Sequence, residues 1–152
     1  MRKSERGMAM VDPIRVDIEV NAEIIDEDGE ESIKKQEKGE YIHKNDLHVI
    51  KYDEQMDDFG KVKTTIIIQK EKIVLKREGT LKLHQVFRIG NKTEALYTHP
   101  YGSFRLETTT HRMEFYKGMN QRSGRVYVDY DVVINDQESR RHTLQVNFQE
   151  ED

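Results

Sequence analysis

Apolar residues occupy every second position between residues 126 and 134. Asp129 and Asp131 stand between apolar residues that lie two positions apart: Val126, Val128, Tyr130, Val132 and Ile134. A period of two is typical of a β-strand with one buried face and one wet face. The pattern disfavours an all-helical bundle, in which apolar residues would recur every three or four positions.

The same alternation recurs in about ten short runs along the chain, separated by turn signals such as Asp28-Gly29 and His99-Pro100-Tyr101-Gly102. Ten strands in an open sheet would leave two long edges, whereas closure removes both. We therefore predict an all-β fold, a closed antiparallel barrel of about 8–10 strands with little or no helix. Residues 13–149 form this single domain, preceded by a flexible polar leader (1–12) and followed by an acidic tail (150–152).

Two irregularities carry further predictions. The apolar parity switches around His111-Arg112, which predicts a β-bulge. The run Ile66-Ile67-Ile68 is apolar on both faces, so a helix, a loop or a second subunit is expected to cover its outer face. The last option predicts a homodimer through the Ile66–Ile68 strand.

Composition and motifs exclude several function classes. The chain has no Cys, which removes a disulfide framework, a thiol nucleophile and a thiolate metal site, and fits a cytoplasmic location. Its six histidines form no HExxH motif, and Ser103 sits in no GxSxG motif. No apolar run approaches the roughly 18 residues of a membrane span. We predict no catalytic residues, no metal site, no cofactor and no membrane insertion.

Charge is distributed unevenly. The net charge of −4 disfavours a general nucleic-acid binder. Residues 61–92, however, hold nine basic residues and two acidic ones. This segment predicts either a charged face that keeps the barrel soluble and prevents its edges from associating with other chains, or a protein- or RNA-interaction surface.

The polar residues on the inward parity suggest a ligand. Polar groups inside an apolar cavity orient a bound molecule, although they can also bond to one another in a dry core. We predict a non-catalytic site for a small amphipathic molecule, with Arg88 or Arg105 as an anion anchor at the mouth. The inward polar residues of this site are Gln85, Thr108, Thr110 and Tyr130.

Five short motifs occur in a characteristic order: Gly60-Lys61-Val62-Lys63-Thr64, Phe87-Arg88-Ile89-Gly90, Tyr97-Thr98-His99-Pro100-Tyr101-Gly102, Leu106-Glu107-Thr108-Thr109-Thr110 and Gly124-Arg125-Val126-Tyr127-Val128-Asp129-Tyr130. In this order and spacing the chain resembles the YwiB-like family of small bacterial proteins, from about residue 14 to residue 148. The resemblance implies a calycin-type barrel, the architecture of lipocalins and fatty-acid-binding proteins. It implies no particular activity and no site residues.

Overall fold

A computed structural model describes residues 12–56, 60–120 and 122–152. These residues contain no helix and form ten antiparallel strands in one sheet. The strands are β1 (Ile14–Asp26), β2 (Gly29–Lys44), β3 (Leu47–Met56), β4 (Gly60–Ile68), β5 (Ile73–Gly79), β6 (Leu83–Phe87), β7 (Lys92–His99), β8 (Gly102–Lys117), β9 (Ser123–Ile134) and β10 (Ser139–Glu150).

The sheet curls into a nearly closed barrel, which confirms the predicted fold class. Its strand order is β6-β5-β4-β3-β2-β1-β10-β9-β8-β7, so β1 and β10 join the two halves of the chain. The outer strands β6 and β7 meet at a seam. There Lys82 and Thr98 exchange two backbone hydrogen bonds of 2.9 Å, and the Thr93 hydroxyl donates to the Val86 carbonyl at 2.6 Å.

The predicted bulge is also confirmed, because the register between β8 and β9 shifts between Thr110 and Arg112. A second irregularity bends β2. This strand pairs with β1 from Gly29 to Tyr41 but with β3 only from Gly39 onward. A Cβ atom at Gly39 would lie 2.1 Å from the Lys51 carbonyl oxygen, so only glycine permits this approach. Before Gly39 on β2 and after Tyr52 on β3 the two strands are not paired, and we call the space between these two segments the β2–β3 slot.

The two ends of the barrel differ. At the packed end, which holds the β2–β3, β4–β5 and β6–β7 turns, aromatic rings fill the lumen. The ring centroids of Tyr41 and Phe148 lie 4.4 Å apart, and those of His48 and Phe115 lie 4.6 Å apart. At the opposite end, which we call the mouth, many inward side chains are only half-buried. They include Ala22, Ile24, Lys35, Leu83, Tyr97, Ile134, His142 and Leu144.

The outer face of the Ile66–Ile68 strand is partly covered by neighbouring strands of the same sheet. Ile66 and Ile68 point into the core, and only Ile67 faces outward. Ile67 is half-buried between its cross-strand neighbours Val49 and Val74, so the sheet itself covers part of it. No helix covers this face in the part of the chain that the structure describes.

The predicted leader lies outside the described residues except for Asp12. At the other terminus β10 runs through Glu150, one residue beyond the predicted boundary, and the Glu151 amide donates to the Arg15 carbonyl at 3.0 Å. Among the described residues, no helix has the length and apolar character needed to cross a membrane.

Candidate ligand-binding site at the barrel mouth

A buried carboxylate organises one side of the mouth. Glu54 is only 3% exposed, on the inward face of β3. Thr64 donates its hydroxyl to Glu54 Oε1 at 2.8 Å, and Lys35 Nζ lies 3.0 Å from Oε2. Arg77 Nη2 lies 3.4 Å from Oε1. Burial alone would raise the pKa of Glu54, but Arg77, Thr64 and Lys35 outweigh it and hold that pKa below its usual value, so the group stays ionised.

The local fold explains why charged residues stand here. Glu54 follows Tyr52, the last β3 residue that pairs with β2, so its neighbour across the β2–β3 slot is the side chain of Lys35. Glu37 also faces inward beside this slot. Burial in the first place, and then the charge of Glu54, raises the pKa of Glu37, while Lys35 opposes the shift. The slot therefore brings paired charges to a place that water can still reach.

Within the part of the chain that the structure describes, three buried polar atoms have no hydrogen-bond partner: Arg77 Nε, Thr110 Oγ1 and His142 Nε2. Thr110 and His142 flank Tyr130 as its cross-strand neighbours on β8 and β10. The Tyr130 and His142 rings stack at 5.2 Å. Leaving such an atom buried and unpaired costs about 1–3 kcal/mol, so each one marks a place where a partner would stabilise the protein.

The protonation states of these groups follow from burial. Burial raises the pKa of Tyr130 to about 12, with Arg77 opposing the shift, so the phenol keeps its proton and Arg77 lies within electrostatic reach. Burial and then the charge of Arg140 lower the pKa of His142 to about 4, against the pull of Asp131. A neutral imidazole can donate or accept at its free nitrogen.

The mouth also has an adjoining cleft. Between the β1–β2 turn and the β9–β10 turn lies a cleft of about 340 Å³, lined in part by Ile134 and Arg140. Ile134 belongs to the inward apolar wall of the mouth, and Arg140 lies 3.9 Å from Asp26 across the cleft. A larger depression of about 960 Å³ lies over β2, β1 and β10, where polar side chains such as Gln36 and Asn147 line it.

Four of the six predicted site residues do face inward. Gln85 and Thr108 are buried together, and Gln85 Nε2 donates to Thr108 Oγ1 at 2.9 Å, so this pair is satisfied within the core. Thr110 and Tyr130 belong to the unsatisfied group described above. The sequence thus identified polar residues that do face inward, but it could not separate those that bond to each other from those that belong to the unsatisfied group.

The two predicted anion anchors are not part of the lumen. Arg105 is exposed on the outer parity of β8, and its guanidinium binds the carboxylate of Asp136 in the β9–β10 turn. Arg88 is exposed just after β6, at the packed end. Arg105 lies on the parity opposite to the buried residues of β8, and Arg88 follows the end of β6. Both are exposed, and their anchoring role stays a prediction.

Sequence reasoning missed Glu54, Arg77 and His142, although a signal existed. Each interrupts a run of apolar residues on one parity: His142 precedes Leu144, Val146 and Phe148, and Arg77 follows Ile73 and Leu75. A charged or polar residue on the buried parity near a strand end is the pattern to look for. No cluster of three or more His, Asp or Glu that could hold a metal occurs among residues 12–56, 60–120 and 122–152.

Comparison with known proteins places this barrel in a family. The sequence profile described as Domain of unknown function (DUF1934) matches residues 18–146. The "Uncharacterized beta-barrel protein YwiB" of Bacillus subtilis (strain 168) is 27% identical over 109 residues, which cover 72% of this chain and 74% of that protein. The crystal structure of the ywiB protein from Bacillus subtilis matches with a TM-score of 0.83 at 24% identity, over 97% of this chain and 99% of that one.

At 24% identity the structural match supports the fold alone, and it agrees with the ten-stranded barrel described above. The resemblance drawn from the five sequence motifs is confirmed by the profile and by the curated relative. Because the matched residues make up well over half of this chain, the chain belongs to the DUF1934 family.

Proposed function

We propose that this barrel binds a small amphipathic molecule at its mouth and catalyses no reaction on it. The observation that carries the proposal is the group of three buried, unpartnered polar atoms, Arg77 Nε, Thr110 Oγ1 and His142 Nε2. Buried polar atoms in folded proteins are nearly always paired, so these exceptions support a ligand that supplies the missing partners.

The arrangement defines the chemistry of the ligand. Arg77 Nε is a donor, so it requires an acceptor such as a carboxylate, carbonyl or hydroxyl oxygen. Thr110 and neutral His142 can each donate or accept. The apolar part of the ligand packs on half-buried side chains of the mouth wall. These are Leu83, Ala95, Tyr97, Ile134 and Leu144. Arg77 takes the anchoring role for which the sequence had suggested Arg88 or Arg105.

The same groups support a binding role without catalysis. Tyr130 holds its proton far above neutral pH, and a histidine with a pKa of about 4 is a weak general base at pH 7. We place the protein in the cytoplasm, a location that the absence of Cys supports.

Native mass spectrometry on protein purified gently from its own host tests this proposal. We expect a discrete added mass that leaves on denaturation. Arg77→Gln and Thr110→Val should lose it because they remove two of the three unpartnered atoms, and Arg88→Gln, an exposed arginine at the other end, should retain it. A wild-type spectrum with the bare chain mass would overturn the proposal, as would retention of the added mass by both mouth variants.

A further inference from the structure

A depression of about 450 Å³ lies on the outside of the barrel, over strands β8, β9 and β10. We call it the outer depression. Tyr127 stands at its centre, with Glu114 on β8 and Gln145 on β10 as cross-strand neighbours. The residues that line it all have the outward parity of their strands, opposite to the residues that pack in the core. They are Arg112, Glu114, Tyr116, Arg125, Tyr127 and Gln145.

Two tyrosine rings on neighbouring strands give the outer depression an aromatic surface. Tyr116 pairs directly with Arg125, so Tyr127 is its diagonal neighbour, with the two Cβ atoms about 7 Å apart. Tyr116 is 53% exposed. The guanidinium carbon of Arg112 lies 5.2 Å from the centroid of the Tyr127 ring. Tyrosine rings and arginine planes are both surfaces on which unpaired nucleobases stack.

One positive charge in the outer depression has no carboxylate partner. Arg112 is balanced by Glu114, which lies 2.9 Å away. Arg125 has two uncharged cross-strand neighbours, Tyr116 and Asn147, and its Nε donates to Asn147 Oδ1 at 2.8 Å. Among the residues that the structure describes, no carboxylate lies within ion-pair distance of Arg125. Its remaining N–H groups can therefore donate to an anion.

The carboxylates around the outer depression are already paired. Both oxygens of Asp129 on β9 accept hydrogen bonds from Arg141, at 2.5 and 2.9 Å. Glu19 on β1, the cross-strand neighbour of Asn147, lies 3.7 Å from Lys34. An anion bound in the outer depression is therefore not opposed by an unpaired carboxylate at either of these positions.

A second depression, of about 330 Å³, adjoins the first toward the β8–β9 turn. The two share Tyr116 and Arg125, and the second adds Lys117. Both volumes fall in the range of small-ligand pockets, about 300–1,000 Å³. Two recesses that meet at one ring and one guanidinium suit two successive nucleotides of a single strand, with a phosphate between them.

We propose that these two depressions bind a short stretch of single-stranded nucleic acid. Tyr116 and Tyr127 stack on successive bases, and the Arg125 guanidinium donates to the phosphate that joins them. A protein partner is disfavoured, because the residues that line the outer depression include no aliphatic side chain and the core of a protein interface is apolar. The site is separate from the mouth and does not depend on a ligand there.

The basic segment 61–92, which the sequence had suggested for RNA, lacks this combination of ring and cation. It contains no tyrosine or tryptophan, and its one phenylalanine, Phe87, is fully buried. The net charge of −4 also implies that binding at the outer depression depends on stacking more than on charge. For single strands the logarithm of the affinity falls with the logarithm of salt with a slope of about −0.7 for each phosphate contacted. One or two contacts therefore give a shallow slope, between about −0.7 and −1.4.

Fluorescence anisotropy on the full chain tests the proposal with labelled octaadenylate, as RNA and as DNA, and with a labelled hairpin duplex. We expect the single strands to bind at least tenfold more tightly than the hairpin, whose bases are already stacked on one another. Tyr116→Leu/Tyr127→Leu should lose at least tenfold in affinity, whereas Tyr116→Phe/Tyr127→Phe keeps both rings and should bind within about twofold of the wild type. Arg125→Gln should lose several-fold and make the salt slope shallower by about 0.7.

Matched variants separate this site from other exposed rings and cations. Tyr101→Leu removes a tyrosine that is 81% exposed in the β7–β8 turn, and Arg105→Gln removes an exposed arginine elsewhere on β8. Both should bind octaadenylate like the wild type, and so should Thr110→Val. Equal loss in these controls would overturn the proposal, as would equal loss in the leucine and phenylalanine double variants. So would a wild-type chain that prefers the hairpin or binds neither single strand.

Discussion

Thr108 and Thr110 stand two residues apart on the same face of β8, and both are at least 95% buried. Thr108 accepts a hydrogen bond from Gln85 across the β6–β7 seam, whereas the Thr110 hydroxyl has no partner. Two threonines that are indistinguishable in sequence thus belong to different regions. Thr108 belongs to a hydrogen-bonded pair in the core, and Thr110 belongs to the group of unpartnered polar atoms.

The difference shows that burial of a polar group does not by itself indicate function. A polar group that is buried and bonded specifies packing, while one that is buried and unbonded invites a ligand. The β-bulge begins directly after Thr110, and bulges commonly redirect side chains beside binding sites. Substitutions that remove polar groups from the two regions should therefore have opposite effects on stability and on ligand retention.

The largest effect is expected at Glu54. Glu54→Gln removes the charge that Arg77 and Lys35 both face. It should lower the free energy of unfolding by about 2–3 kcal/mol, because two half-buried cations lose their buried partner. Urea denaturation measures it. The control is Asp53→Asn on the adjacent exposed carboxylate, 3.8 Å from Lys61, where about 0.5 kcal/mol or less is expected. Equal effects of the two variants would mean that the Glu54 network is solvated.

The two threonines provide the direct test. Thr108→Val leaves the Gln85 amide buried and unpaired and should cost about 2 kcal/mol of unfolding free energy. Thr110→Val deletes a hydroxyl that has no partner, so the free energy of unfolding should stay the same or rise by up to ~1 kcal/mol. Ligand retention should follow the reverse order, with loss only in Thr110→Val. A destabilised Thr110→Val variant would show that the two regions are alike.

The two buried histidines extend the comparison to pH. Burial lowers the pKa of both His48 and His142 to about 4. His43 and Lys117 lower the pKa of His48 further, and Asp46 opposes them. Arg140 lowers the pKa of His142 further, and Asp131 opposes it. The unfolded chain takes up these protons near pH 6.5 and the folded chain only near pH 4, so stability falls as pH drops across this window. The raised pKa of Glu37 contributes in the opposite direction.

Substitution separates the two histidines. His48→Gln and His142→Gln should each reduce the slope of unfolding free energy against pH between about 6.5 and 4, by an amount of order 1 kcal/mol across the window. At pH 7.5 only His48→Gln should be less stable, because it disrupts the 2.8 Å hydrogen bond between Tyr41 and His48. Equal losses at pH 7.5 would show that His142 does have a partner in solution.

The sequence predicted the strands well because alternation is set by the two faces of the sheet, and most of the ten runs lie within a few residues of the observed strands. It failed where a strand ends. Ile89 follows the inward parity of β6 but is 50% exposed, because β6 ends at Phe87. Parity also cannot show what a buried polar side chain faces, since that depends on the register between distant strands. The pairing of Gln85 with Thr108 across the seam is such a case.

The smallest effect is expected at Arg105, which the sequence had suggested as an anchor. Arg105→Gln breaks an exposed ion pair with Asp136 and should change unfolding free energy by less than about 0.5 kcal/mol. The bonds that hold the adjoining turn are made by the Arg105 backbone to Asn135, at 2.8 Å each, and they survive the substitution. Ligand retention in native mass spectrometry should also be unchanged, while Arg77→Gln loses the ligand. The reverse result would move the anion anchor to the outer rim and reduce the Arg77 network to a purely structural feature.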